Sequence, residues 1–471
     1  MSTREALADC LGSQKHLLQF WDELDEEQKT NLTVQLEEID VDECKKAFID
    51  SKSIHVPDFA NVRPVPSSRY VVSSKLSTEE FDRLFQVGLE AISRNELCVL
   101  VLAGGQASRL GSLQPKGILP LGLPVENGVS VVKGDSLLAL QASKISRLQG
   151  MAAKAFPGSS GKIHWAVMTS RGTHEATVEH LKTIVPLNGL SINDVTVFSQ
   201  SNLPTFDFSG DLFLAKKDEL STAPNGHGGV HSALAKYLPK LRAHGVKYIQ
   251  THNVDNVLCR VGDPAMLGMM LEKKADCASK TLEKQPGDLV GSVIMENGRP
   301  RVIEYSELGD LEAQRDDDGK LLYRAGSINI HFFELNFLER VYSSSFQLPY
   351  HRAVKRVDCV NEHGVTHRSL QPNAIKLEQF IFDIFPISNN FYCWEVIRED
   401  EFSPWKNEES VGIDCLSTCI RALADQSRRW LEQVGAECPH GKQVFLVSSR
   451  SYCGEDLEEY CDKHITDTVI Q

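Results

Sequence analysis

The chain has 471 residues, of which 41% are hydrophobic and 24% are charged, a balance typical of globular proteins large enough for two or three domains. Its formal net charge of −14 argues against nucleic acid as the main partner, because nucleic-acid binding needs a basic surface. No apolar run reaches membrane-spanning length, the twelve cysteines form no CxxC pair, and the final TVIQ is not a peroxisomal signal. We therefore expect a cytoplasmic protein with reduced thiols and no membrane partner.

Residues 1–95 are predicted to form a helical region followed by a linker. Ser13 precedes an apolar stripe at helical spacing, which indicates a capped helix with the inward face Leu17, Phe20, Trp21 and Leu24. A second helix is indicated by the stripe Leu32, Leu36 and Ile39. Residues 51–69 contain three prolines and few periodic apolar residues, so we expect an ordered, extended crossing there.

The stretch that follows carries the clearest chemical pattern. The apolar run Cys98–Leu102 predicts a strand buried on both faces of a parallel sheet. Gly104 and Gly105 come next, and a glycine pair lets the backbone turn and lets a ligand lie directly against peptide N–H groups. Arg109 and Lys116 then place two cations on the following loop. A strand, a glycine turn and a cationic loop together predict a binding site for a nucleoside triphosphate.

Two well-known glycine loops do not fit this stretch. A Walker A loop requires GxxxxGK[ST], but here Ser112 follows Gly111 and Lys116 is followed by another glycine. A dinucleotide fingerprint requires GxGxxG, and Ala107 stands where the second glycine would be, which argues against a dinucleotide-dependent oxidoreductase. For the glycine pair alone, a structural turn between strand and helix with solvated basic residues stays open as an alternative.

The longer string around these glycines is more specific. GGQASRLGSLQPKG resembles the signature LxxGGxGTRLGxxxPK of the UDP-sugar pyrophosphorylases, and the flanks VLAGGQ and LGLP are most similar to the UDP-N-acetylhexosamine branch. The resemblance implies UTP-dependent uridylyl transfer, with Arg109, Lys116 and the distant Lys406 as catalytic residues. Ala107 departs from the signature. If its backbone needs a positive φ, the loop is strained by roughly 1–2 kcal/mol.

Strand-like runs recur through the middle of the chain, separated by helical or loop segments, at 163–168, 195–198, 248–249 and 290–295. This alternation predicts a doubly wound α/β sheet, in which ligands bind at the carboxyl ends of the strands. We expect a Rossmann-like nucleotidyltransferase core over residues 96–390, with nucleotide-binding and sugar-binding halves. Residues 391–471 are predicted to form a small β-rich domain, with a helix near 415–430 and a strand near 444–447.

Two segments carry candidate nucleotide contacts. Gln200 follows a predicted strand, and its amide can bind the uracil edge, which presents a donor between two acceptors; a surface glutamine is the alternative. The segment APNGHGG matches the family's APDGNGG with departures at Asn225 and His227, and His227 is similar to the PxGHG form of UDP-glucose and broad-specificity relatives. The resemblance implies that the nucleotide is bound by Leu102, Ala103, Gly104, Gly105, Gln200, Pro224, Gly226 and His227.

Asp255 follows the strand-like run at 248–249, within the segment THNVDN. A carboxylate at a strand end can hold Mg²⁺ or Mn²⁺ against phosphates, and magnesium needs only one or two protein carboxylates. The family's VDN supports this role for Asp255 and implies that Asn256 contacts the sugar. An aspartate that only caps the following turn is the alternative.

The resemblance places the other sugar contacts later in the core. It implies that the sugar hydroxyls and the N-acetyl group are surrounded by Gly291, Glu304, Tyr305, Ser327, Phe380 and Phe382. The family has asparagine at position 327, so the serine loses an amide donor, and the contact is replaced by water or by Asn329, or is lost. The alternation of the two phenylalanines also fits an ordinary core strand.

These patterns together indicate a uridylyltransferase. Lys406, in the segment SPWKN, matches a family lysine that reaches the phosphates. The implied partners are UTP and N-acetylglucosamine 1-phosphate, and the products are UDP-N-acetylglucosamine, by extension its galactosamine analogue, and pyrophosphate. Such transfer needs positioned charge rather than a protein nucleophile. The alternatives are a UDP-glucose or broad-specificity UDP-sugar pyrophosphorylase, and a catalytically weak paralogue that binds UDP-sugars.

Overall fold

The computed structural model describes residues 3–52, 57–305 and 307–471. The helices of these residues are, in chain order, α1 (Arg4–Leu11), α2 (Glu26–Glu37), α3 (Val41–Asp50), α4 (Thr78–Ser93), α5 (Leu137–Ala155), α6 (His174–Leu187), α7 (Gly229–Ala235), α8 (Leu238–Ala243), α9 (Pro264–Lys273), α10 (Leu335–Ser343), α11 (Arg398–Glu401) and α12 (Leu416–Gln433). None of these described helices has both the length and the apolar composition that crossing a bilayer requires.

Eleven strands of the described residues form one central sheet. They are β1 (Val62–Pro64), β2 (Tyr70–Val72), β3 (Leu97–Leu102), β4 (His164–Thr169), β5 (Val195–Ser199), β6 (Tyr248–Asn253), β7 (Cys277–Glu283), β8 (Ser292–Glu296), β9 (Arg299–Ile303), β10 (Ala325–Glu334) and β11 (Phe391–Val396). The main path is β2-β11-β7-β10-β6-β3-β4-β5, and β1, β8 and β9 form a branch that joins it at β10. β10 is antiparallel to β6 and β7, whereas the other neighbours along the path are parallel.

The central strand β3 shows why this sequence forms a parallel sheet. All six residues of β3 are buried, and β4 and β6 flank it in parallel. A strand covered on both faces has a continuous apolar sequence, which is the pattern that predicted it. The predicted α/β fold with a mainly parallel sheet is confirmed, and each of the four other strand-like runs overlaps a strand of the sheet.

The chain divides into two compact units that are discontinuous in sequence. The first unit contains Met1–Val56, Gln200–Ala233 and Ser345–Asp383, and the second contains Pro57–Ser199, Leu234–Ser344 and Ile384–Gln471. The central sheet belongs to the second unit. The three-part division expected from the sequence, with boundaries near residues 96 and 390, stays a prediction.

The first unit has a core of its own. Its antiparallel strand pairs are Asn202–Pro204 with Thr222–Pro224, Leu214–Lys216 with Glu219–Leu220, His351–Lys355 with Ala374–Glu378, and Asp358–Val360 with Thr366–Arg368. Apolar side chains of α2 and α3 pack into this core, and the rings of Phe48 and Phe206 lie 5.1 Å apart between centroids. The helix predicted from Leu32 and Leu36 is confirmed as α2, which buries both residues.

The helix predicted to begin at Ser13 is wrong. α1 ends before Gly12, which has a φ of +55°. The backbone then forms 3-10 turns over Gly12–Leu18 and Trp21–Glu23. It kinks at Gln14, whose amide donates to Asp211 Oδ1 (2.8 Å) and accepts from the Leu212 N–H (2.8 Å). Hydrogen bonds to residues distant in sequence therefore override the helical periodicity.

The crossing predicted over residues 51–69 lies partly outside the described residues, which omit 53–56. Its described part contains short 3-10 turns and β1. β1 pairs antiparallel with β8, and Val62 is fully buried. The segment is therefore attached to the branch of the central sheet.

The C-terminal region contains the helix and the strand that the sequence predicts. The helix is α12, and the strand Phe445–Leu446 pairs in parallel with Val469–Ile470. Apart from this pair, the described regular structure after α11 is helical, so the region has less β-structure than expected. A further short hairpin, Val125–Glu126 with Val129–Ser130, lies earlier in the same unit.

Helices α4 and α9 cross with their backbones in contact at two glycines. A Cβ added at Gly88 would lie 1.9 Å from the carbonyl oxygen of Pro264, and one added at Gly268 would lie 1.9 Å from that of Leu84. Side-chain carbons cannot approach backbone atoms this closely without a shift of the helices. Both glycines are therefore required for the crossing.

We expect Gly88→Ala to lower the free energy of unfolding by about 3 kcal/mol, because the backbone at Pro264 must move to admit a methyl group. Gly150→Ala on α5 is the matched control, since a Cβ at Gly150 would meet nothing within 4 Å. Alanine there should stabilise the helix by up to about 1 kcal/mol. Urea denaturation measures both changes, and equal stabilities of the two variants would contradict the proposed crossing.

Candidate active site

The glycine turn after β3 is held by the main chain and side chains around it. The Ala103 N–H donates to the carbonyl of Met168 at 2.8 Å. The Ser170 hydroxyl donates to the carbonyl of Gly104 at 2.7 Å. Leu102 and Ala103 are buried. The end of β4 therefore fixes the backbone of the turn before any ligand binds.

Gly105 is the exposed end of this turn. Its carbonyl accepts from the N–H of Lys116 at 3.1 Å, which joins the two ends of the cationic loop. A Cβ added at Gly105 would meet nothing within 4 Å, so this backbone faces open space. Neither Gly104 nor Gly105 has a positive φ. Gly105 thus provides room for a close ligand, and the pair does not make a left-handed turn.

The loop between the turn and Lys116 closes on itself. Gln106 and Pro115 form an isolated antiparallel bridge, and the Ala107 N–H donates to the carbonyl of Gln114 at 3.0 Å. Ala107 is 1% exposed and has a φ of −83°. The strain that a positive φ would impose on alanine is absent, so the departure from the family signature is tolerated.

We expect Ala107→Gly to leave kcat unchanged, because the alanine is unstrained. Glycine should lower the free energy of unfolding by roughly 0.5–1 kcal/mol, since it has more conformational freedom in the unfolded chain. Steady-state turnover and urea denaturation check the two expectations. A large gain in activity would instead show that this loop works only with glycine.

Lys116, Asp255 and the segment that carries Lys406 come together beyond the carboxyl end of β6. The Lys116 Nζ lies 3.1 Å from Asp255 Oδ2, and the two side chains are 16% and 14% exposed. The Trp405 N–H donates to the main-chain carbonyl of Asp255 at 2.9 Å. Lys406 therefore directly follows a residue whose main chain hydrogen-bonds to Asp255. The structure brings the glycine loop, the carboxylate and the distant lysine to one edge of the sheet.

Lys406 and Arg109, the two other predicted catalytic cations, differ in how they are held. The Lys406 Nζ lies 5.7 Å from the centre of the Phe402 ring, and the Lys406 N–H donates to the carbonyl of Asp414 at 2.7 Å. Arg109 is exposed on the 3-10 turn Ser108–Leu110 of the same loop as Lys116. The main chain of Lys406 is fixed, and Arg109 is the more accessible cation.

The segment that follows β4 also borders this edge, although no sequence pattern used above indicated it. Ser170 holds Gly104, and Arg171 is an exposed cation directly after it. A Cβ added at Gly172 would lie 3.0 Å from Gln106 Nε2, so this segment borders the cationic loop. Polar and charged residues directly after a buried parallel strand are the signal that could have found them.

The residues at this edge fit a single divalent cation. Asp255 offers one carboxylate, and the described residues contain no group of three His, Cys, Asp or Glu side chains that could hold a metal ion. Mg²⁺ binds proteins through one or two carboxylates and takes its other ligands from water and substrate phosphates. One carboxylate beside the predicted triphosphate site would therefore be a sufficient protein contribution.

Asn256 is buried, and its side-chain amide hydrogen-bonds to main-chain groups of the protein. Nδ2 donates to the carbonyl of Glu401 at 2.7 Å, and Oδ1 accepts from the N–H of Ser403 at 2.9 Å. The residue is 5% exposed. Only the second N–H of Nδ2 is left for the predicted sugar contact, which stays a prediction.

Gly291, Glu304 and Ser327 form a cluster in the second unit. The Ser327 N–H donates to the carbonyl of Gly291 at 2.8 Å. A Cβ added at Gly291 would lie 3.4 Å from Glu304 Oε1, so the glycine leaves room for that carboxylate. Tyr305 follows and is 39% exposed. The structure thus brings together these predicted sugar contacts.

Asn329, the residue that could replace the amide missing at position 327, makes two side-chain hydrogen bonds within the protein. Its Nδ2 donates to Asn253 Oδ1 at 2.7 Å, and its Oδ1 lies 3.0 Å from His331 Nε2. Its second N–H and the second lone pair of its oxygen are still available to a sugar. Replacement by water, replacement by Asn329 and loss of the contact therefore all stay open.

Gln200 and Pro224 lie in the first unit. Gln200 is 8% exposed, so the alternative of a surface glutamine is wrong. Its Oε1 has no hydrogen-bond partner among the described residues. A buried oxygen without a donor is costly, and the N3–H of uracil would satisfy it. Pro224 ends a short strand, opposite Asn202.

At Gly226 and Gly228 another part of the protein backbone, at Gln379, lies against the glycines. A Cβ at Gly226 would lie 2.6 Å from the carbonyl oxygen of Gln379, and one at Gly228 would lie 2.4 Å from the Gln379 carbonyl carbon. Gly226 also has a φ of +81°. Packing within the first unit therefore requires both glycines, and nucleotide binding by Gly226 stays a prediction.

His227 has a defined tautomer. Its Nδ1 accepts from the N–H of Ile381 at 3.0 Å, so the ring proton is on Nε2. Burial lowers the pKa of His227 to about 4, and the ring is neutral at physiological pH. The imidazole stacks on Phe380 with centroids 5.1 Å apart. His227 thus presents a neutral Nε2–H donor.

Phe380 and Phe382 do not lie on a strand, so the interpretation as alternating positions of a core strand is wrong. The strand ends at Glu378, and a 3-10 segment covers Ile381–Ile387. The two rings lie 5.3 Å apart between centroids, and Phe382 lies 5.6 Å from the ring of His227. They form an aromatic cluster in the first unit, and their role as a wall for an acetyl group stays a prediction.

Comparison with known proteins decides the family. A family model described as UTP–glucose-1-phosphate uridylyltransferase matches residues 42–447. The chain belongs to this family. A Caenorhabditis elegans protein named "Probable UDP-N-acetylglucosamine pyrophosphorylase" is 46% identical over 459 residues, which cover 97% of this chain and 94% of that protein.

Two further relatives of this uridylyltransferase support the same family assignment. The UDP-N-acetylglucosamine pyrophosphorylase of Saccharomyces cerevisiae is 34% identical over 473 residues, which cover 96% of each chain. The crystal structure of the Trypanosoma brucei uridine diphosphate N-acetylglucosamine pyrophosphorylase in complex with an inhibitor has a TM-score of 0.81 at 26% identity and covers 98% of this chain and 95% of that one. The resemblance predicted from the glycine signature is confirmed.

Proposed function

We propose that this family member transfers the uridylyl group of UTP to N-acetylglucosamine 1-phosphate, and by extension to the galactosamine analogue, with release of pyrophosphate. The meeting of Lys116, Asp255 and the Lys406 segment at the carboxyl end of β6 carries this proposal. The choice of sugar is supported by relatives named for UDP-N-acetylglucosamine that are 46% and 34% identical.

The reaction is an in-line displacement at phosphorus. A phosphate oxygen of the sugar 1-phosphate forms a bond to the α-phosphorus of UTP. The bond from that phosphorus to the oxygen of the β-phosphate breaks, and its electron pair leaves with pyrophosphate. Lys116, Lys406 and Arg109 neutralise the charge that spreads over the phosphate oxygens, so no protein nucleophile is needed.

Asp255 has two tasks in this proposal. Its carboxylate fixes the ammonium group of Lys116 through the ion pair. It would also hold Mg²⁺ or Mn²⁺, which, when bound, supplies further neutralisation of phosphate charge. The backbone of Leu102, Ala103, Gly104 and Gly105 receives the nucleotide.

Recognition of the two substrates uses separate groups of residues. Gln200 Oε1 accepts from uracil N3–H, and Pro224, Gly226 and His227 complete the nucleotide contacts. Glu304 accepts hydrogen bonds from sugar hydroxyls, since a carboxylate has acceptor sites for two of them. The other sugar contacts are Gly291, Tyr305, Ser327, Phe380 and Phe382.

A second candidate, a UDP-glucose or broad-specificity enzyme, is favoured by two residues. His227 presents a neutral imidazole donor where the acetylhexosamine branch has asparagine, and Ser327 lacks an amide. Both changes remove side-chain amides from the predicted contacts. A sugar without an N-acetyl group would lose less from such changes.

Comparison of three acceptors tests the proposal. Pyrophosphate release is measured with UTP and the 1-phosphates of N-acetylglucosamine, N-acetylgalactosamine and glucose. We expect the highest kcat/KM with N-acetylglucosamine 1-phosphate. A higher value with glucose 1-phosphate would favour the second candidate. Binding of UDP-N-acetylglucosamine by calorimetry without any pyrophosphate release would overturn the proposal and identify a weak paralogue.

A cytoplasmic location is part of the proposal. It is supported by the cysteines, all twelve of which are free. Free thiols in this number are typical of a reducing compartment.

A further inference from the structure

The segment that carries Lys406 is joined to the residues after β6 by backbone hydrogen bonds. The Trp405 N–H donates to the carbonyl of Asp255 at 2.9 Å, and the Val257 N–H donates to the carbonyl of Ser403 at 3.2 Å. These two bonds set residues 403–405 against residues 255–257. The position of the Lys406 backbone relative to Asp255 depends on this junction.

The side chain of Asn256 lies within the junction. Its Nδ2 donates to the carbonyl of Glu401 at 2.7 Å. Its Oδ1 accepts from the N–H of Ser403 at 2.9 Å and from the N–H of Leu258 at 3.3 Å. One amide thus binds both segments, and a side chain of any other shape would leave main-chain groups unpaired in a buried place.

One end of the Lys406 segment is anchored independently of Asn256. The Glu401 carboxylate forms an ion pair with Lys280 and lies 3.6 Å from Arg260. Lys280 in turn lies 2.6 Å from Asp263, and its side chain is fully buried. The segment from Glu401 to Lys406 therefore starts at a fixed point, and Asn256 holds its next part, at Ser403, against residues 255–257.

We propose that Asn256 is a positioning residue, which holds the backbone that leads to Lys406 beside Asp255, so that the Lys406 ammonium group can reach the substrate phosphates. This inference rests on the proposed function, because it gives Lys406 a place in the reaction. A displacement of about 1 Å in a group that stabilises the transition state can cost about a hundredfold in rate. Asn256 thus acts on the reaction through Lys406 and does not touch the substrate.

A double-mutant cycle separates this role from sugar binding. We expect Asn256→Ala to lower kcat by about ten- to a hundredfold with a smaller change in the KM for the sugar 1-phosphate. In the Lys406→Ala background the same substitution should have little further effect, because its target is gone. Effects that multiply in the double variant, or a change confined to the sugar KM, would overturn the proposal.

Hydrogen exchange provides a readout that does not depend on activity. Asn256→Ala should speed the exchange of the Ser403 and Trp405 amides, while amides of the central strand β3 keep their protection. Asn256→Asp, which keeps the acceptor and loses the donor to Glu401, serves if the alanine variant does not fold. If the wild-type chain releases no pyrophosphate, the proposed function fails, and unchanged exchange at residues 403–405 would separately refute the placement by Asn256.

Asn188→Ala is the matched control. Asn188 is 8% exposed, and its Nδ2 donates to the carbonyls of Lys133 (3.1 Å) and Ile184 (2.9 Å). It is therefore a buried asparagine that binds main chain outside the junction. We expect a comparable loss of thermal stability with kcat unchanged. An equal fall in kcat for both variants would mean that the effect of Asn256 is general destabilisation.

Discussion

Lys116→Ala is expected to lower kcat by about a hundredfold or more while the chain stays folded. A preorganised donor to a developing charge is worth roughly 3 kcal/mol in the transition state, whereas an exposed lysine contributes a few tenths. Lys116 is preorganised, because its ammonium group is held by Asp255 at 3.1 Å and its main chain by Gly105. The same fall is expected for Lys406→Ala.

The control for this experiment is another lysine that forms an ion pair. Lys182 lies 2.9 Å from Glu179, and its side chain is 61% exposed. We expect Lys182→Ala to leave turnover unchanged. Steady-state pyrophosphate release measures each variant, and circular dichroism shows whether it is folded. A near-normal rate for Lys116→Ala or Lys406→Ala would remove that residue from the mechanism.

Lys280→Met is expected to lower the free energy of unfolding by about 3 kcal/mol, because it leaves two buried carboxylates with Arg260 as their one remaining cation among the described residues. The Lys280 side chain is fully buried, and those of its partners Asp263 and Glu401 are 1% and 3% exposed. Asp263→Asn in the same chain should restore part of the loss, since it leaves Glu401 as the one buried carboxylate of this cluster beside Arg260. Urea denaturation measures both variants.

The pH dependence of stability provides a second check on this cluster. Burial alone would raise the pKa of the Asp263 carboxyl, but Lys280 and Arg260 lower it below its usual value of about 4. Its contribution is therefore present above about pH 4 and is lost as the pH falls through the lower, folded value. Burial alone would lower the pKa of Lys280, but the two carboxylates raise it above its usual value of about 10.4.

The contribution of Lys280 is thus present below about pH 10.4 and is lost as the pH rises through the higher, folded value. In the wild type both charges are complete between about pH 5 and 9. In Lys280→Met, burial raises the pKa of the carboxyls that have lost this cation, so the loss of stability should shrink as the pH falls toward 5. A loss that grows as the pH falls would contradict the proposed charges of the cluster.

The sequence predicted the parts of the molecule that depend on local pattern. The buried strand β3, the glycine turn and the cations of its loop are contiguous, so composition and spacing carry the signal. The meeting of Asp255 with Lys116 followed from the rule that parallel strands present ligands at their carboxyl ends. The position of Lys406, far along the chain, followed only from the family resemblance.

The sequence did not predict three contacts between distant residues that no local pattern encodes. The kink at Gln14 depends on hydrogen bonds to Asp211 and Leu212, which no helical periodicity contains. Likewise, Gly226 faces the backbone of Gln379. A glycine-rich segment alone does not show whether the protein backbone or a ligand makes the close approach. The amide of Asn256 is occupied by main chain that lies more than a hundred residues later.

The stereochemistry at the α-phosphorus tests the central claim most directly, namely that positioned charges promote one displacement without a protein nucleophile. The chain is given a single diastereomer of UTP with sulfur on the α-phosphate, together with N-acetylglucosamine 1-phosphate. The configuration of the resulting thio-UDP-sugar is then determined by phosphorus NMR. We predict inversion at the α-phosphorus. Retention would require two displacements through a covalent uridylyl-protein and would contradict the account.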